Sequence, residues 1–290
     1  MSDNDLLPNR NLQTEDWIIE ACDAGGSAFA LKGAKKLHEA QSPFQKVEVY
    51  ESEQWGNVML IDGYYMVTGK DNFVYHEMMS HPALYSHANP KDVVIIGGGD
   101  CGTLREVLKH PSVATATQID IDQEVTIASE KFFPELCDSN NDPRAQLMWI
   151  DGIQWMADAP DASADIIIID STDPIGPGEG LFTRPFYAQC MRVLRDGGII
   201  VQQSESPLIH LPLIKAIRQA WRDVGFSNDI TEQFFLPSYP TGWWSASMAC
   251  KGDNNWQAKR DCDVSTRYYN SAIHNGAFAQ PQFLLEAFSQ

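Results

Sequence analysis

The chain reads as an α/β protein, a largely parallel sheet covered on both faces and preceded by a small antiparallel β unit. Three observations predict this. From about residue 90 onward, short apolar runs alternate with helical patterns, the spacing that gives parallel strands joined by helical crossovers. The run Ile166-Ile167-Ile168-Ile169 is wholly β-branched and apolar, as a strand buried on both faces requires. Before residue 70 the apolar residues instead alternate in short stretches broken by glycine, the pattern of hairpins.

Taken in order, residues 1 to about 16 are polar. Ile18-Ile19, Phe29 to Leu31, Val47 to Tyr50, Val58 to Ile61 and Tyr64 to Val67 predict strands, with Asp62-Gly63 a tight turn. A helix is predicted from Asp71 to about His87, ended by Asn89-Pro90. Strands follow at Val93 to Ile96, Ala114 to Ile119, Ala145 to Trp149, Ile166 to Ile169 and Gly198 to Gln202. Between and after them, helices are predicted at Thr103 to Lys109, Gln123 to Phe132, Arg184 to Leu194 and Leu213 to Val224. Ile230 to Phe235 and Trp244 to Cys250 close the sheet as an antiparallel hairpin, making seven strands. The division is an N-terminal β-strand domain over residues 1–70 and a catalytic domain over residues 71–290.

The 21 Lys and Arg residues against 39 Asp and Glu give a formal charge of -18. Such a balance lacks the basic footprint that nucleic acid or an anionic membrane surface needs, and its field favours cations. Six cysteines form no C-x-x-C pair, so they read as reduced rather than as a metal site. The first ten residues lack the apolar core of a signal peptide, and no apolar run approaches a membrane span, so a cytoplasmic protein is expected.

Chemistry concentrates where strands end. Gly97-x-Gly99-x-x-Gly102 lies between a strand and a helix, and Asp120 ends the next strand about 20 residues on, where a carboxylate can hold ribose hydroxyls. NAD enzymes, adenosylmethionine enzymes and other nucleoside binders share these features. Asp100 separates them, because a negative charge inside the turn repels a pyrophosphate and welcomes an ammonium or sulfonium. Asp151-Gly152 and Asp170 end two further strands on the same edge, and Asp173 follows in a loop shaped by Pro174, Gly176, Pro177 and Gly178. Asp170 is either a ligand carboxylate or the cap of the turn that follows. So many carboxylates on one edge suit a polycationic ligand.

Several motifs stand in one order: D-x-F-x-Y-H-E-M from Asp71, G-G-G-D-x-G from Gly97, D-S-T-D-P-I-G-P from Asp170, Q-S-E-S-P from Gln203, P-S-Y-P-x-G from Pro237 and Y-Y-N-x-x-x-H-x-x-A-F from Tyr268. Over roughly residues 40 to 285 the chain resembles the polyamine aminopropyltransferases. The resemblance implies a Rossmann-like, methyltransferase-type sheet and a reaction needing no metal or prosthetic group. Decarboxylated S-adenosylmethionine would be the co-substrate and a diamine, putrescine first, the acceptor. It further implies that Gln45, Asp120, Asp151, Gly152 and Pro177, with the turn glycines Gly97 and Gly99, hold the methylthioadenosine part. His76 and Asp100 would lie near the aminopropyl arm, with His76 also able to touch the acceptor. Tyr75, Asp170, Asp173, Gln203, Tyr239 and Trp244 would line the polyamine side, Asp170 as the base. A homodimer or homotetramer is implied as well.

Departures from the family pattern are Phe44 for Tyr, Met66 for Gln, Asn72 for Glu, Cys101 for Gly and Asp120 for Glu. Met66 and Asn72 are expected to remove polar groups near the mouth of the site and so bear on acceptor choice. Agmatine, cadaverine or spermidine stay open as acceptors. A methyltransferase or a non-catalytic polyamine-binding protein are the more distant alternatives.

Overall fold

The computed structural model describes residues 16–22, 26–33, 35–172, 174 and 176–289. The N-terminal strands form two sheets rather than one unit. β1 (Trp17–Cys22) and β2 (Ser27–Lys32) pair as a hairpin, and β3 (Lys35–Gln41), β4 (Lys46–Ser52), β5 (Gly56–Ile61) and β6 (Tyr64–Thr68) form a four-stranded antiparallel meander. Tyr65 joins the two, its hydroxyl donating to the Ile18 carbonyl at 2.6 Å and accepting from the Leu31 amide at 3.0 Å. β3 reads K-K-L-H-E-A-Q and has no apolar alternation, so its sequence does not announce a strand. It pairs along β4 alone and leaves its charged residues at a sheet edge, where solvated side chains discourage pairing with other chains.

α1 (Asn72–Ser86) leads into the main sheet. Asp71, just before it, accepts from Thr68 Oγ1 at 2.6 Å and from the Ser238 amide at 2.9 Å, so the helix start is tied to a loop far along the chain. There follow β7 (Asp92–Gly97), α2 (Gly102–Leu108), β8 (Thr115–Asp120), α3 (Gln123–Phe132), β9 (Ala145–Trp149), α4 (Gly152–Asp158) and β10 (Ala164–Asp170). After a 3₁₀ turn at Gly176–Phe182 come α5 (Arg184–Val193), β11 (Leu194–Gln203), α6 (Leu211–Asp223), β12 (Ser227–Phe235) and β13 (Trp243–Cys250). Two short helices, α7 (Ser271–Ala277) and α8 (Gln282–Phe288), follow; these and α4 are not foretold by the sequence pattern.

The seven-stranded sheet runs β12-β13-β11-β10-β7-β8-β9, parallel from β11 to β9 and antiparallel at β13 and β12, a Rossmann-like arrangement. The four isoleucines of β10 are fully buried and divide between its faces. Ile166 and Ile168 join the core with Met78, Leu104 and Met248 on one face, and Ile167 and Ile169 join that with Phe186, Tyr187 and Trp221 on the other. Alternate side chains of a strand point to opposite faces, so a strand covered on both sides is apolar on both along its middle.

That end is where the register matters. Ile169 pairs with Ile96 and Gln202, Ile96 with Ile119, and Ile119 with Met148. The next residues, Asp170, Gln203, Gly97, Asp120 and Trp149, therefore stand in one row across the carboxyl edge. Asp170 and Asp120 thus end their strands at the same height, with Gln202 and Gln203 closing β11 beside them.

Candidate active site

The glycine turn is shaped by what each glycine must avoid. Gly97 has φ +85°, and a Cβ there would lie 2.2 Å from the Asp170 carbonyl oxygen, which instead accepts from the Gly98 amide at 2.8 Å. A Cβ at Gly99 would meet Asp120 Oδ2 at 2.8 Å, and one at Gly102 would enter the His76 ring at 2.2 Å. The fingerprint thus sets the Asp170 main chain and the side chains of Asp120 and His76 against bare backbone.

A cavity opens over this edge. It is lined by Gln45, Met66, Gly97, Gly99, Asp100, Asp120, Asp151, Gly152 and Asp170, with Ile96, Ile121, Ile153 and Leu181 as apolar walls. Gln45 immediately precedes β4, so the wall is shared between the small sheet and the large one. Ser42 Oγ fastens that joint by donating to Asp122 Oδ2 at 2.7 Å. Asp120 Oδ1 accepts from the Asp122 amide at 2.8 Å, and burial pushes its carboxyl up to about 6. Asp151 both lines the cavity and caps α4, accepting from the amides of Ile153 and Gln154 at 2.8 and 3.3 Å.

A smaller cavity adjoins the first and shares Met66, Tyr75, Ser171, Thr172 and Tyr239 with it. Gln203, Trp244 and Glu20 complete it. Tyr239 packs edge-on to Trp244, with centroids 4.7 Å apart at 85°, and its hydroxyl donates to the Met66 carbonyl at 2.5 Å. Gln203 Nε2 donates to Glu205 at 3.2 Å, and Glu20 accepts from the Tyr65 amide at 2.8 Å.

Asp170 lines the wide cavity and immediately precedes Ser171 and Thr172 of the shared wall. Its Oδ1 accepts from the Tyr75 hydroxyl and its Oδ2 from Thr103 Oγ1, both at 2.6 Å. Burial and then the charge of Asp100 raise the Asp170 carboxyl, while His76, Thr103 and Tyr75 act the other way without reversing it. Burial also holds the Tyr75 phenol well above its ordinary value, so it stays a donor. Asp100 accepts from the Gly102 amide at 2.8 Å and from His76 Nε2 at 3.1 Å. Burial opposes charge on both members of that pair, yet their mutual attraction outweighs it, lifting His76 and lowering Asp100.

The site residues expected from the sequence fall into three groups. Gln45, Gly97, Gly99, Asp100, Asp120, Asp151, Gly152 and Asp170 line the wide cavity, and Gln203, Tyr239, Trp244 and Tyr75 the narrow one. His76 lines neither: it is buried behind Asp100 and reaches the site through that carboxylate. Its ring fills the space that Gly102 leaves, which puts Asp100 between it and any guest. Asp173 lies outside the described residues, and of the Pro177 side chain nothing is described. Asn72 is likewise away from both cavities, its amide donating to the Thr68 carbonyl at 2.7 Å, so the expected effect at the mouth of the site falls to Met66 alone. Thr103 and Glu20 are additions that the motifs do not announce. Thr103 follows the last fingerprint glycine, a position in reach of the neighbouring strand end, whereas Glu20 arrives by tertiary contact from the first hairpin, with no local signal. Among the described residues no group of three or more His, Cys, Asp or Glu side chains is placed to hold a metal ion.

Comparison with known proteins decides the family. Residues 72–260 match the spermine/spermidine synthase domain and residues 16–68 the spermidine synthase tetramerisation domain. The chain belongs to the spermine/spermidine synthase family. It is 55% identical over 281 residues to the polyamine aminopropyltransferase of Methylococcus capsulatus, covering 95% of this chain and 98% of that one. It is 54% identical to the polyamine aminopropyltransferase of Xanthomonas campestris pv. campestris, covering 95% and 99%. Its fold superposes with a TM-score of 0.89 on a spermidine synthase in complex with the transition-state analogue AdoDATO, at 33% identity over 98% of this chain and 97% of that chain. On the spermidine synthase of Thermotoga maritima the TM-score is 0.88, at 32% identity over 100% and 99%. The chain is an aminopropyl-group transferase of this family.

Proposed function

We propose that this transferase moves the aminopropyl group of decarboxylated S-adenosylmethionine to putrescine, giving spermidine and methylthioadenosine. The observation that carries the reading is Asp170 in the wall of the wide cavity, bonded to Tyr75, which is shared with a second and unlike cavity. The wide one offers apolar walls for a base, Asp120 for ribose hydroxyls and the anionic Asp100 for an ammonium. The narrow one offers aromatic walls for a methylene chain and the carboxylate of Glu20. That a relative of the same fold binds AdoDATO supports a nucleoside-bearing donor.

The chemical difficulty is a proton. An alkyl amine resembling lysine, with pKa about 10.4, is almost wholly protonated at pH 7 and has no lone pair to give. Asp170, raised by burial and fixed on both oxygens by Tyr75 and Thr103, takes that proton as the sulfonium nearby disfavours a second cation. The freed nitrogen attacks the propyl carbon bonded to sulfur. A C–N bond forms, the C–S bond breaks, and its electron pair leaves on sulfur as neutral methylthioadenosine. Asp100, braced by His76, holds the aminopropyl ammonium away from the nucleophile. Tyr75, Asp173, Gln203, Tyr239 and Trp244 align the diamine, so much of the acceleration comes from setting two mutually repelling cations side by side.

Residues 1–70 and 71–290 are taken as the N-terminal and catalytic domains. A homodimer or homotetramer is proposed, and the match of residues 16–68 to a tetramerisation domain supports the larger assembly. The test is methylthioadenosine release from decarboxylated S-adenosylmethionine with putrescine, cadaverine, agmatine and spermidine in turn. Release fastest with putrescine is the expected outcome; faster release with another of the four would reassign the acceptor, and none with any would refute the reaction.

A further inference from the structure

The glycine turn carries a thiol, and a second thiol is brought against it from elsewhere in the chain. Cys101 precedes α2 with φ +69°, a left-handed conformation that side chains other than glycine adopt only at a conformational cost. It is fully buried, its Sγ donating to the Gly99 carbonyl at 3.6 Å and accepting from Gln118 Nε2 at 3.5 Å. Cys137 follows the 3₁₀ turn Pro134–Leu136 and is half-buried. Its Sγ donates to the Asp100 carbonyl at 3.8 Å, against the residue that precedes Cys101, and Cys101 is the neighbour that acts most on its thiol. Arg105 Nη1 docks the turn onto α2 through the Glu135 carbonyl at 2.9 Å, and Phe133 and Leu136 beside it are fully buried. The pair is therefore held together by packing on both sides.

The geometry points to a reversible disulfide between Cys101 and Cys137, a modification site that displaces Asp100 and so links transfer activity to oxidant level. Peroxide is the oxidant. The more accessible Cys137 thiolate attacks one peroxide oxygen, breaking the O–O bond to leave a sulfenic acid and hydroxide, which is protonated to water. The Cys101 thiolate then attacks the Cys137 sulfur, forming S–S and breaking S–O, and the second hydroxide leaves as water. In all, two thiols lose two electrons and two protons, and one peroxide becomes two waters. A dithiol reverses the step by exchange.

The Cys101 hydrogen bond and then burial hold the Cys137 thiol above its ordinary value. The pair thus rests as thiols at neutral pH and oxidises faster as pH rises. The bond would pull on the turn at the residue after Asp100 and replace the Cys137 contact with the Asp100 carbonyl, and the Asp100 side chain anchors both the Gly102 amide and His76. The effect on activity rests on the role proposed for Asp100; the bond itself does not.

Treating the full-length protein with hydrogen peroxide, alkylating the remaining thiols and digesting without reductant reads the bond directly. A cross-linked peptide pair containing Cys101 and Cys137, two hydrogens lighter than its parts, is expected. With it, turnover should fall about 10²-fold, as a small misplacement at a site can cause, and return with dithiothreitol. Cys137→Ser and Cys137→Ala should keep basal turnover and the parental melting temperature and resist peroxide. Recovery of Cys101 and Cys137 as alkylated thiols after peroxide would overturn the site, and a cross-link without loss of turnover would overturn the coupling. If the untreated protein transfers no aminopropyl group, the proposed reaction fails while the peptide readout still decides the disulfide.

Discussion

Two buried polar clusters flank α1, and they are built on opposite plans. On one side His81, Glu106 and His110 are fully buried, and the bonds among them close on themselves. Arg260 donates to His110 Nδ1 at 2.9 Å, so His110 donates from Nε2 to His81 Nδ1 at 2.9 Å, and His81 donates from Nε2 to Glu106 at 3.1 Å. Lys109 and Arg105 complete the Glu106 carboxylate at 2.6 and 3.0 Å. On the other side Tyr75, Thr103 and His76 fix Asp170 and Asp100, and both carboxylates still face a cavity. The difference teaches that perturbed titration does not by itself mark a site. Burial pushes Glu106 up, but the His81 hydrogen bond and Lys109 hold it at about 2, and burial takes His110 down to about 2. Both lie in the cluster that lines neither of the two cavities. What separates the clusters is whether acceptor capacity is left over where a ligand can reach it.

The comparison breaks most plainly at Asp170. Asp170→Asn keeps the shape and removes the base, and turnover should fall about 10²- to 10⁴-fold with methylthioadenosine affinity retained. Near-normal turnover would take Asp170 out of that role.

Glu106→Gln should do the reverse. It leaves Lys109, Arg105 and the histidine pair around a neutral amide, and breaking such a buried arrangement costs about 3–5 kcal/mol, read as a lower denaturant midpoint. Turnover of the molecules still folded should be unchanged; a loss of turnover without a loss of stability would erase the distinction between the clusters. In the parent, both shifted groups have folded values below their unfolded ones, 4.5 for Glu106 and 6.5 for His110. Their contribution is therefore present above about pH 6.5 and lost as pH falls toward 2, a decline that denaturant titration across that range should register.

Tyr75→Phe removes one of the two hydroxyls on Asp170. About tenfold should be lost from kcat/KM for the amine, the worth of one hydrogen bond to a charged group. A fall confined to donor affinity would instead assign Tyr75 to the wide cavity.

The smallest effect is expected at Asp120, whose folded value is raised from 3.8 to about 6 by burial. Its protonated form suits the fold, so its contribution is fully present below 3.8 and lost as pH rises through about 6. Asp120→Asn should accordingly be more stable than the parent at pH 8, on the order of 1 kcal/mol with solvent in the cavity allowed for, and equal to it near pH 3. Methylthioadenosine should bind it more weakly. Equal stability at both pH values would mean that Asp120 is fully solvated.

Much of the fold and of the site is legible in the amino-acid sequence. β10 can be placed because four consecutive isoleucines admit few arrangements, and Asp170 because a carboxylate cannot continue such a strand. The glycine turn is legible because only glycine lets Asp170, Asp120 and His76 approach as they do. Other parts leave no local trace. β3 is charged along its length because it is an edge strand, and its pairing is decided by β4. Glu20 enters the narrow cavity from a hairpin distant in sequence, and no periodicity within Trp17–Cys22 foretells that. His76 is visible as a site residue through its motif, but whether it faces a cavity or braces Asp100 depends on the empty space at Gly102. Asn72 holds its helix start rather than the mouth of the site, because the Thr68 carbonyl lies within reach of its amide.

The central claim is that two adjoining cavities divide donor from acceptor, with Asp170 acting on the acceptor from the wall of the wide one. A crystal structure with methylthioadenosine and putrescine both bound tests it most directly. The expected result is the nucleoside in the wide cavity with its ribose hydroxyls on Asp120, and putrescine in the narrow cavity along Tyr239 and Trp244 with one nitrogen in hydrogen-bonding reach of Asp170. Putrescine seated elsewhere, or with both nitrogens out of reach of Asp170, would contradict it.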